Sequence, residues 1–304
     1  MNYILNKFIS VRVIEDNRII IKTPLDVIEI KTENIDIIVD ITNFFKLGAT
    51  KEQFTKKYNY EDINELFTKL VDKKVLIEQI EVDTINSDVY EFMQQFAKIN
   101  HDNIFNVNEI KLLILGSSLT VNFLNEDLRE IGFNNIINFE LKYNTNDLED
   151  ISRIIENNKI DLVICYDSVF NINLCKFINK KCLENNISFL FSHFKNLYAI
   201  IGPIIMPHET PCLNCLELRK INNYEFIDLE KYYMKEYYNI NNQRILYPTF
   251  FYKITSKLIS LEIFKFYFAD ESCNLIGKEL EIDLKNYKTN YNRILYNPQC
   301  QICS

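Results

Sequence analysis

Residues 109–118 read EIKLLILGSS, and the class of the fold turns on them. Four successive apolar residues lead into Gly116 and two serines. A run this short and this uniformly apolar, closed by a turn, fits a strand buried on both faces. Working outward, LTVNFLNEDLREIG (119–132) reads as a helix ended by Gly132, a residue suited to the position after a helix C-terminus. NNIINFEL (134–141) is a second strand, NDLEDISRIIENN (146–158) a helix and KIDLVICYD (159–167) a third strand. NINLCKFINKKCLENN (171–186) and ISFLFSHF (187–194) add a helix and a fourth strand. Strand and helix in strict turn predict an α/β domain, Rossmann-like and doubly wound, over residues 108–304.

Such sheets bind nucleotides beyond the first strand-to-helix turn, where a Gly-x-Gly-x-x-Gly run lets the backbone approach a phosphate. Here the run is GSSLTV: Gly116 stands at the first position, Ser118 at the second and Val121 at the third. A serine and a β-branched valine weaken that approach. Glu140, ending the second strand, is placed to hydrogen-bond a ribose, although a lone acid at a strand end is more often simply solvated.

Farther along, TPCLNCLELR (210–219) and the terminal NPQCQICS (297–304) each carry Cys-x-x-Cys. Two such pairs supply the four thiolates that tetrahedral zinc prefers, so Cys212, Cys215, Cys300 and Cys303 read as one closed structural zinc site. A redox dithiol, two disulfides or unligated core thiols are the alternatives. The long spacer makes the metal a clasp that pins the last residues to the middle of the fold. Cys165, Cys175, Cys182 and Cys273 lie in apolar segments and read as core.

The chain has 304 residues, enough for two cores. Its formal net charge of −8 argues against a nucleic-acid partner. The N-terminal stretch is interrupted too often by polar residues for a signal peptide, and no apolar run reaches membrane-spanning length. A cytoplasmic protein with reduced thiols and no membrane partner is the expectation.

Residues 1–84 have another texture. YILNKFISVRVIED, RIIIKTP and DVIEIKT alternate as three short strands. Helical spacing follows, most clearly Ile63, Leu66, Phe67, Leu70 and Val71 along one face. Three strands, three helices and a returning wing describe a winged-helix-like α+β module. Residues 85–107 link it to the second domain, with SDVYEFMQQFAKINHDN (87–103) as a connecting helix.

The run from Asp161 to Arg219, with its Gly-Pro strand and Pro-Cys-x-x-Cys, resembles the E1/ThiF-like activating-enzyme fold. The helix TFFYKITSKLISLEIFKFYF (249–268) and the closing NRILYNPQCQIC match in order, so the resemblance covers residues 108–304. Departures are clear: the glycine loop is degraded, the Asn-x-x-Arg-Gln segment after the second strand has no counterpart, and of the acidic metal-binding position only Asp167 is kept. Without the arginine that stabilises a transferring phosphoryl group, acyl adenylation loses most of its catalysis. Gly116, Glu140 and Asp167 are then a vestigial nucleotide site.

A winged-helix-like module ahead of a degenerate E1-like domain resembles the precursor-recognition subunit of azole-forming cyclodehydratases, the McbB-like and bacteriocin ThiF-like proteins of ribosomal natural-product pathways. The resemblance implies that a precursor's leader adds as a strand beside Val27, Ile28, Glu29 and Ile30 and packs against the helix bearing Leu66, Phe67 and Leu70. It implies a YcaO-type, ATP-using cyclodehydratase as partner, a flavin-dependent dehydrogenase as an optional further one, and a homodimer. On this reading the chain is a non-catalytic subunit with structural zinc and no ATP of its own. The alternatives are an active E1-like enzyme adenylating a peptide or protein carboxylate, and a winged-helix DNA-binding regulator; plain core packing of Phe67 and Leu70 is the simpler reading of that helix.

Overall fold

The computed structural model describes residues 1–15, 18–24, 26–31, 35–58, 63–79, 91, 94, 107–168, 171–223, 247–269 and 273–303. Contacts divide the chain into two compact units, Met1–Ile99 and Asn100–Ser304. Apart from Glu91 and Gln94, the connecting helix expected over residues 87–103 lies outside the described residues.

In the first unit, the run read as one strand from Tyr3 to Asp16 is two. Asn6, fully buried, turns the chain: its side chain donates to the Lys74 carbonyl (2.7 Å) and accepts from the Phe8 N–H (2.9 Å). Strand β1 (Asn2–Leu5) therefore leaves its successor and pairs antiparallel with β5 (Ala49–Thr50) and β6 (Leu76–Gln79). β2 (Ser10–Glu15), β3 (Arg18–Lys22) and β4 (Val27–Lys31) form a separate antiparallel meander in that order. Alternation buries Ile19 and Ile21 of β3 completely and turns Ile28 and Ile30 of β4 toward the same core, which leaves Val27 and Glu29 exposed. Among its described residues the unit also has three α-helices: α1 (Ile35–Phe44), α2 (Lys51–Lys57) and α3 (Ile63–Asp72). Thr50 and Gln53 close a reciprocal capping box at the start of α2. Ile63, Phe67 and Leu70 of α3 are buried with Phe45 and Phe54, each large side chain adding about 1.5–3 kcal/mol of burial.

The second unit is mixed α/β around a seven-stranded sheet ordered β13-β12-β11-β10-β9-β7-β8. β7 (Leu112–Gly116), β8 (Ile136–Glu140), β9 (Leu162–Tyr166) and β10 (Ser188–Lys195) are parallel. β11 (Tyr198–Ile205), β12 (Lys278–Asp283) and β13 (Lys288–Arg293) continue it antiparallel. The parallel half follows the alternation read from the sequence. The antiparallel half departs from a doubly wound sheet because β10 returns through a tight turn at Asn196, whose φ is +56°, with no crossover helix.

Period-two alternation assigns the two faces. Leu113, Leu115, Val163, Cys165, Phe189 and Phe191 share a core with α5 (Thr145–Asn157), α6 (Ile172–Glu184) and α7 (Leu213–Asn223). From the opposite face Tyr166 donates to the Tyr252 carbonyl (2.8 Å) of α8 (Thr249–Phe268). α8 in turn meets α4 (Ser118–Glu130), where Lys257 bridges Asp127 and Glu130 at 2.7 and 2.9 Å. No helix among the described residues is long and apolar enough to cross a membrane.

Candidate functional site

Cys212 and Cys215 sit at the first turn of α7, and Cys300 and Cys303 in the turns that end the chain. Their four sulfurs lie within 4.8 Å of one another, and Cys212, Cys215 and Cys300 are buried. Cys212 Sγ is 3.5 Å from Cys300 Sγ, Cys215 Sγ is 3.4 Å from Cys303 Sγ, and Cys300 and Cys303 are 3.6 Å apart. A disulfide requires about 2.05 Å, and all eight cysteines are free. Four sulfurs at about 2.3 Å from a tetrahedral zinc ion stand about 3.8 Å apart. The donor set and its spacing therefore fit one metal ion, and such an ion supplies cross-linking with no open coordination position.

Burial pushes the Cys212 thiol far up and that of Cys215 up to about 11. At Cys300 burial acts in the same direction but is outweighed by N–H groups of Asn214, Ile302 and Cys303, which bring it down to about 6. Thiolates at Cys212 and Cys215 thus need a cation beside them, which a bound metal ion provides. Around the cluster, Asn214 Nδ2 donates to Cys300 Sγ (3.3 Å) and the Asn297 N–H to Cys215 Sγ (3.4 Å). Arg219 holds the Leu295 and Tyr296 carbonyls at 2.9 and 2.5 Å, and buried Asn179 accepts from the Leu213 N–H (3.3 Å) at the start of α7.

A second set of residues gathers where the strand order reverses, between β7 and β9, the position at which open α/β sheets bind ligands. Gly116 pairs with Glu140 on one side and Tyr166 on the other, so of the three residues singled out there Gly116 and Glu140 end adjacent strands and Asp167 follows the last residue of the third. Ser117 caps α4 and shares a 3.0 Å hydrogen bond with Thr120, both buried. Asp167 is buried; one carboxylate oxygen accepts from the Tyr143 hydroxyl and the other from the Ser168 N–H (2.7 Å). Beside it a cavity of about 10 Å³, lined by Cys165, Cys175, Asn171 and His193, has room for about one water. Burial, reinforced by Lys220 and Lys195, holds His193 neutral. Glu140 is exposed. Nothing in the sequence marked Tyr143, since its reach to Asp167 exists only once α5 and β9 are assembled.

The third location is the outer edge of β4, which pairs only with β3 among the described residues. Lys73, just past α3, binds Asp26 at the start of β4 (2.8 Å), bringing helix end and strand start together. Of the helix residues singled out, Phe67 and Leu70 are core: Phe67 meets Tyr3 edge-on at 5.0 Å. Leu66 is half-buried at the rim.

The fold and its clasp define a class: a small mixed unit ahead of a seven-stranded α/β unit closed by four cysteines. No family model and no curated protein matches the sequence. Among solved structures the chain is similar to the heterocyclase TruD, with a TM-score of 0.72 at 16% identity over 99% of this chain and 42% of that one. A heterocyclase in complex with substrate and cofactor matches at 0.70 and 17% identity, over 99% and 39%. E. coli MccB with AMPCPP and MccA matches at 0.67 and 16%, over the whole of both chains. The likeness is one of fold. The chain spans about two fifths of the heterocyclases' length and the full length of MccB.

Proposed function

We propose that this chain is a peptide-presenting subunit in the biosynthesis of a ribosomally made natural product. It captures the leader of a precursor along β4 and offers the precursor's Cys, Ser or Thr side chains to a separate, ATP-using YcaO-type cyclodehydratase, which forms thiazolines or oxazolines. The observation that carries the reading is one of coverage: virtually all of this chain corresponds to about two fifths of a heterocyclase. In the proposal the ring-forming chemistry belongs to the YcaO-type enzyme. A homodimer and a flavin-dependent dehydrogenase acting later are parts of the same proposal.

The physics suits the task. An added strand binds through backbone hydrogen bonds largely indifferent to side-chain identity, and the outer edge of β4, which pairs only with β3 among the described residues, offers such a ladder. Tethering the leader raises the effective concentration of the reacting side chains at the partner. The adenylating alternative is favoured by the end-to-end likeness to MccB, whose structure holds AMPCPP. Against it stands the engagement of Asp167 by Tyr143 and Ser168.

The test mixes precursor, cyclodehydratase and this chain and counts lost waters by mass spectrometry. Ring formation that requires this chain, together with no calorimetric binding of magnesium-ATP to it alone, supports presentation. Micromolar ATP binding by the isolated chain would transfer the assignment to adenylation.

A further inference from the structure

The structure assigns Asn214 and Arg219 of α7 a role outside the ligand set: they seat the second cysteine pair on the first and so set the affinity of the metal centre. The inference rests on the reading that the four cysteines hold a divalent metal ion. Asn214 lies between Cys212 and Cys215 in sequence, yet its amide donates to Cys300, a sulfur of the opposite pair, at 3.3 Å. Arg219 follows Cys215 by one helical turn, so both project from the same side of α7. Its Nε donates to the Leu295 carbonyl and its Nη2 to that of Tyr296, just before Cys300 enters the cluster. Leu295 and Tyr296 are about half exposed, at 51% and 49%, so water could satisfy these carbonyls; the planar fork fixes them instead.

Both contacts act on the same difficulty. Cys212 and Cys300 are 88 positions apart, and ligands on separate segments bind a metal only as well as those segments are held together. Four thiolates around a divalent ion also leave net negative charge, which N–H···S donors and a nearby guanidinium offset. Arg219 and Asn214 are positioning residues, acting through the cysteines.

The experiment uses the full chain, reduced, with zinc in competition against a chromophoric chelator and cobalt(II) as the spectroscopic probe. Arg219→Gln should bind zinc about 10–100-fold more weakly, as removal of outer partners of metal ligands does, with Arg219→Lys restoring only part. Asn214→Ala should move the sulfur-to-cobalt charge-transfer band to lower energy, because the lost N–H no longer stabilises the sulfur lone pair. If Arg219→Gln fails to fold, the Asn214→Ala band carries the test. Wild-type chain that takes up neither metal overturns the metal reading itself. Wild type that binds, with variants within about twofold of it and an unmoved band, overturns the assignment to Arg219 and Asn214 alone.

Discussion

A Cβ on Gly116 would stand 2.0 Å from the Tyr166 carbonyl oxygen and 2.6 Å from Thr120 Oγ1. The glycine is therefore required by the approach of β7 to β9, whatever lies beyond the strand ends. Gly116→Ala should lower stability by about 2–3 kcal/mol, an overpacking cost read from the urea midpoint. An unchanged midpoint would mean the strands part easily. Tyr143 is the complementary case, silent in the sequence and decisive in the structure, since its hydroxyl engages the acid that resembled a metal ligand. Phe67 and Leu70 show the limit of periodicity: it places both on the apolar face of α3, but whether that face meets a ligand or a core depends on what packs there.

Among elements, β4 carries the proposal. Successive N–H groups on a strand point to opposite edges, so of Ile28→Pro and Glu29→Pro one removes an outward donor and the other a ladder bond to β3. One variant should keep the wild-type melting temperature and lose precursor binding at least about tenfold, as expected for an interrupted added strand. Equal affinity in both would sink strand addition. The Asp26–Lys73 contact adds a pH dependence. The hydrogen bond from Lys73 holds Asp26 below its ordinary value of 3.8, so its contribution is full above about pH 4 and lost as pH falls through the folded value. The difference in melting temperature between wild type and Asp26→Asn should therefore be small at neutral pH and vanish at acid pH. A difference that grows on acidification would contradict the sign.

At the scale of the molecule, the four cysteines join segments 88 positions apart. Closing a free loop of that length costs on the order of 4 kcal/mol, well below the roughly 10–16 kcal/mol of structural zinc binding. Loaded with zinc and then treated with a strong chelator, the chain should therefore free the segment after Ile294 and open Leu295 and Tyr296 to chymotrypsin, while β7 to β10 stay protected. Mass spectrometry of the digest reads this directly. An identical cleavage pattern with and without chelator would show that Arg219 and core packing hold the segment unaided.

Short-range periodicity and ligand spacing are legible in the chain before it folds. The βα alternation over residues 108–194, the apolar face of α3 and the two Cys-x-x-Cys pairs are all written within a few residues of one another. Tertiary structure decided what depends on partners distant in the chain. It split the first run into two sheets through buried Asn6, whose partner is the Lys74 carbonyl, and it turned the sheet antiparallel after β10. It set Tyr143 on Asp167, and it laid Arg219 across the carbonyls of residues 76 and 77 positions away. Periodicity records which side of an element is apolar. Only the assembled core fixes which polar groups meet, because each such meeting requires two segments whose separation no local pattern encodes.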